Sequence, residues 1–61
     1  MTNKDIKIIA AQRYAKACYN ASRYLMARGA PDCFIIAEQK AAAMHYMDAR
    51  QMAHPDYVWR D

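Results

Sequence analysis

Two uninterrupted helix-compatible stretches occupy most of this 61-residue chain, and its few backbone breakers fall between and after them. Nothing stops a helix between Thr2 and Arg28, or between Asp32 and Ala53. The single glycine, Gly29, and the first of the two prolines, Pro31, share one short connection; the second, Pro55, closes the second stretch. Thr2 and Asp5 have the spacing of a capping box, with Asp in place of the usual Glu. A first helix is therefore expected over about residues 3–28. Gly29 supplies the left-handed residue that ends many helices, and Arg28 suits the negative end of the helix dipole. After the turn at 29–31, Pro31 fits a first helical turn and Asp32 caps or favours a helix start. A second helix is expected over about 32–53, because His54 precedes a proline and is pushed out of helical geometry.

Helices of roughly 39 and 33 Å joined by so short a connection must be antiparallel neighbours. The expected fold class is mainly α: a two-helix antiparallel hairpin in a single domain, residues 1–61. Residues whose numbers sum to about 59 should lie side by side, which brings Tyr14 near residues 44–46. The tail, residues 56–61, has different chemistry. Tyr57, Val58 and Trp59 follow a turn-like His54-Pro55-Asp56 and read as a short strand or an extended docked segment. A lone strand leaves backbone groups unpaired, so its natural partner would be the same strand of a second copy.

Amphipathicity points the same way. On a helical wheel, the apolar arc of helix 1 spans about 220°, whereas one neighbouring helix covers about 100°. Helix 2 carries one apolar stripe through Ile35, Ala42, Tyr46 and Ala49, flanked by Phe34 and Met52. A second runs through Ile36, Ala43 and Met47. A monomeric hairpin would leave one stripe in water. Some 500 Å² of wet apolar surface forgoes about 12 kcal/mol, more than a domain of this size can spare. An intertwined homodimer is expected, with Tyr14, Cys18, Leu25, Phe34, Ile35, Tyr46, Tyr57, Val58 and Trp59 at the interface. Tyr and Trp suit such positions because they bury area and keep a polar tip. Met44, Met47 and Met52 are candidates for a groove that takes a partner helix, since methionine adapts to irregular surfaces.

Several functions are disfavoured. Cys18 and Cys33 sit in apolar contexts too far apart in a hairpin for a disulfide, and read as buried free thiols. His45, Asp48, His54 and the cysteines lack recognised metal-ligand spacing, so no metal or other cofactor is expected. One glycine cannot build a phosphate loop, and no nucleophile–base pair is suggested; the chain reads as a non-enzyme. No apolar run reaches membrane-spanning length, and the charged N-terminus has no signal-peptide core; a reducing cytoplasm is the expected compartment. At 56% hydrophobic residues the chain is not disordered.

Charge is uneven. Residues 1–28 hold six basic side chains against Asp5 alone, while the second half is slightly acidic. Gln12, Arg13, Lys16, Asn20 and Arg23 form a nearly continuous polar stripe of types that contact phosphates and base edges. The stripe is equally an ordinary solvated face. It makes a small nucleic-acid-binding regulator the alternative to a protein-interaction module.

The layout is a capped basic helix, the turn Arg28-Gly29-Ala30-Pro31-Asp32, a Met- and Tyr-rich helix, and a His54–Asp61 tail. It resembles the very small early proteins encoded between the exonuclease and excisionase genes of lambdoid temperate bacteriophages. The resemblance rests on size, helix order and texture, and assigns a role to no individual residue. It implies a homodimeric non-enzyme made early in infection. Such a protein would act in the bacterial host cytoplasm, biasing the lysis–lysogeny outcome or host physiology through contacts with a host or phage protein.

Overall fold

The computed structural model describes residues 2–59. Two helices, α1 (Asn3–Ala27) and α2 (Asp32–Ala53), pack side by side as a helical hairpin. The capping box is complete: the Asp5 N–H donates to Thr2 Oγ1 at 3.2 Å, and the Thr2 N–H donates to Asp5 Oδ2 at 3.3 Å. Two of the N–H groups that a helix start leaves without partners are thereby satisfied.

At the other end of α1 the chain reverses through a Schellman motif. The Ala30 N–H donates to Leu25 O at 3.0 Å and the Gly29 N–H to Met26 O at 3.1 Å. Gly29 has φ +69°. A Cβ at this position would meet nothing within 4 Å, so a side chain here is opposed only by backbone conformation. Gly29→Ala should therefore lower stability by about 1 kcal/mol, the left-handed penalty alone. A urea midpoint equal to wild type would show that the turn tolerates another conformation.

Two local expectations need correction. Arg28 is the C-cap rather than a last-turn residue, and its guanidinium lies 5.0 Å from the Tyr24 ring centroid. Asp32 favours the start of α2 as an acidic first-turn residue but does not cap it: Pro31 occupies the N-cap and no side-chain cap hydrogen bond forms. Pro31, with ψ 144°, instead offers its carbonyl to the Phe34 N–H at 3.1 Å.

Alanine and serine hold the hairpin together. The positions withdrawn from solvent on the inner side recur every three or four residues. In α1 they are Ile8, Ala11, Ala15, Cys18, Ser22 and Leu25; in α2 they are Ile35, Glu38, Ala42, His45, Ala49 and Met52. Ala11, Ala15, Ser22 and Ala49 are buried, and all four are small. Small side chains let two backbones approach closely, which trades buried area per residue for tight contact. Ser22, at 1% exposure, is affordable there because its hydroxyl donates to Tyr19 O at 2.7 Å. The Tyr14 ring lies 5.6 Å from that of His45, so the numbering sum of about 59 describes the alignment of the helices.

Beyond α2, Pro55 sits second in a β-turn closed by the Tyr57 N–H donating to His54 O at 3.1 Å. The Asp56 N–H donates to His54 Nδ1 at 3.1 Å, fixing the imidazole across the turn. The tail then folds back over the open end of the hairpin. Tyr57 and Trp59 meet edge to face at 5.0 Å, and the Lys4 and Lys7 ammonium groups lie 5.6 and 5.9 Å from the Trp59 ring centroid. Among the described residues the tail forms no strand. Arg60 and Asp61, part of the expected strand or tail, lie outside the described residues.

Candidate interaction surface

The hairpin leaves most of its large apolar side chains outside. A compact monomer of 7.1 kDa would expose about 4,100 Å². This chain exposes 5222 Å², an excess of about 1,100 Å² over that compact value. Elongation accounts for the form of the excess: the molecule measures 41 × 19 × 17 Å. Its composition matters more. Tyr14, Tyr24, Phe34, Met44, Tyr46 and Met47 are each more than half exposed, while the buried positions of the seam are alanine and serine.

The exposed residues fall on distinct sides. On one side, Tyr14 and Tyr24 of α1 stand beside Phe34 and Met44 of α2. The opposite side is a groove of about 540 Å³ floored by Ala15 and Ala42 and walled by Lys16, Tyr19, Gln39 and Tyr46. A smaller hollow of about 470 Å³, lined by Met47, Arg50, His54 and Tyr57, lies where α2 ends. Lys7, Met52, Val58 and Trp59 border another at the open end.

The residues expected at an interface therefore separate into four groups. Cys18, Leu25 and Ile35 line the seam within one chain. Tyr14 and Phe34 belong to the first exposed side, Tyr46 to the groove opposite, and Tyr57, Val58 and Trp59 to the open end. Met44, Met47 and Met52 do not share one groove, since they border three different surfaces. Cys18 is half-buried, but Cys33 is exposed, contrary to expectation; its position in the first turn of α2 points away from the seam. Glu38 and His45 are seam residues that hydrophobicity could not nominate. Only their spacing relative to Ala42 and Ala49 marks them.

Gln12, Arg13, Lys16, Asn20 and Arg23 are all exposed along the outer flank of α1. Among the described residues the only contact of a basic side chain with a carboxylate within 4 Å is His54 Nδ1 with Asp56 Oδ2 at 3.9 Å, so none of these cations is neutralised by a carboxylate at that distance. No three His, Cys, Asp or Glu side chains converge among the described residues. Among the described residues no helix is long and apolar enough to cross a membrane. No family model, no curated protein and no solved structure matches the chain.

Proposed function

We propose that this chain is a small non-enzymatic regulatory or accessory protein that acts through protein–protein contact, as a homodimer of helical hairpins. The observation that carries the reading is the surface of the hairpin. Its excess of about 1,100 Å² exceeds the roughly 800 Å² that each partner contributes to a standard protein interface. Large apolar side chains stand in it at helical spacing. A surface of this kind is an association site or a liability. The layout resembling small early phage proteins fits a role in biasing the lysis–lysogeny outcome or host physiology, with a host or phage protein as further partner.

The tail belongs to the same proposal. Tyr57, Val58 and Trp59 lie at the open end, the Tyr57 N–H held in the β-turn, and pairing of this segment with a second copy would convert it into a strand.

Sedimentation equilibrium of the full chain at low micromolar concentration is the test. A dimer is expected, and removal of residues 56–61 should weaken it several-fold. A folded 7.1 kDa monomer would remove the reading. The outer flank of α1 supports a second reading, a nucleic-acid-binding regulator. Steeply salt-dependent DNA or RNA binding that vanishes on replacing Arg13, Lys16 and Arg23 with Ala would transfer the function there.

A further inference from the structure

The two long sides of the hairpin are not equivalent. On the first, α1 presents Ala10, Tyr14, Ala17, Ala21 and Tyr24, a three–four spacing that places them in one row. Beside it, α2 presents Phe34, Ala37, Ala41 and Met44 in the same spacing. Neither row contains a charge, over about 20 Å of α1 and about 15 Å of α2. The opposite side carries Lys16 and two glutamines in its groove. Exposed at Tyr14, Ala17, Tyr24, Phe34, Ala37 and Met44, half-buried at Ala10, Ala21 and Ala41, and with Arg13 at its margin beside Ala10 and Tyr14, the first side has the character of the centre of an interface, where charged residues are depleted and aromatics enriched.

Charges occur only where the rows continue past their ends. The α1 row extends to Lys7 at the open end and Arg28 at the turn; the α2 row extends to Asp48 at the open end. These charges choose between the two ways of stacking the face on itself. If the twofold axis runs across the helices, α1 lies on the partner's α1 in reverse, Arg28 meets the partner's Lys7, and Phe34 meets the end that carries the partner's Asp48. If the axis runs along the helices, both turns lie at one end and α1 lies on the partner's α2. Lys7 then lies within about one helical turn of the partner's Asp48, in reach of its long side chain, twice per dimer. Tyr24 meets the partner's Phe34, Tyr14 meets the partner's Met44, and alanine meets alanine between these layers. Neighbouring helices are antiparallel in either stacking, so it is the end charges that choose between them.

We propose that the Tyr14–Tyr24–Phe34–Met44 face is covered by the same face of a second copy, with α1 on the partner's α2 and both turns at one end. This rests on the homodimer reading above and adds the face and its direction. The interface is isologous, so each substitution acts twice.

Equilibrium sedimentation of full-length variants tests it. Ala17→Glu places a carboxylate in the middle of the face and should abolish the dimer, whereas Ala43→Glu on the opposite side should leave it intact. Lys7→Glu or Asp48→Lys alone should each weaken the dimer by about tenfold, and the combined Lys7→Glu/Asp48→Lys chain should recover wild-type affinity within about twofold. The exchange test does not depend on whether the Ala17 variant folds. A dimer that survives Ala17→Glu overturns the assigned face, which would then be open to a different partner. Failure of the combined variant to recover overturns the direction. A wild-type chain that is monomeric sinks the homodimer reading itself, before either variant is needed.

Discussion

Ala49→Leu should lower the stability of the hairpin by about 1–3 kcal/mol, the usual cost of forcing extra carbons into a packed site. Ala49 is 3% exposed and belongs to the seam between α1 and α2. Leucine would add three carbons where the facing helix also presents small residues, Ala11 and Ala15. The helices must then separate, and every alanine contact along the seam loosens with them. For a chain of this length the loss corresponds to a fall in melting temperature on the order of 10 °C. Ala43→Leu is the control. It makes the same chemical change on the same helix at an exposed position, and should stay within about 0.5 kcal/mol of wild type. Chemical denaturation of the two variants checks this directly; equal losses would mean that the seam is not the close-packed element of the fold.

The second large effect is one of concentration. In a dimer whose subunits fold as they associate, a hundredfold rise in concentration stabilises the native state by about 2.7 kcal/mol through mass action. Spread over a two-chain unit, that should raise the thermal midpoint by roughly 10 °C. Melting curves followed by circular dichroism at micromolar and at hundred-micromolar chain would show it. A midpoint that does not move would mean that one hairpin folds alone, with its tyrosines and methionines in water. This outcome is hard to reconcile with a fully buried set of only Ala11, Ala15, Ala49 and Ser22 among the described residues.

Sequence and structure agree best where the chain is punctuated. Thr2 with Asp5, Gly29, Pro31 and Pro55 act through local sterics and hydrogen bonds, so the ends of both helices could be read without knowing what packs where. The antiparallel alignment followed from the short connection, and Tyr14 beside His45 fits it. What hydrophobicity could not show is which arc of each helix closes the hairpin. Tyr46, placed in the expected α2 stripe with Ala42 and Ala49, lies outside the seam, while Glu38 and His45 lie within it. The reason is size. A seam that closes on alanine selects for small residues at its centre and accepts polar ones at its margin, so a scale that rewards large apolar side chains points to the outside of the hairpin. The same reasoning explains Ser22, a polar residue in the most buried position, satisfied within its own helix turn.

The arrangement at the open end has an optical consequence. Trp59 is the only tryptophan in the chain, and it sits between Tyr57 and two lysine ammonium groups contributed by the first turns of α1. Its indole emission therefore follows the docking of the tail, while the helical signal follows the hairpin. Watching both during one titration separates undocking from unfolding without adding any label to the molecule.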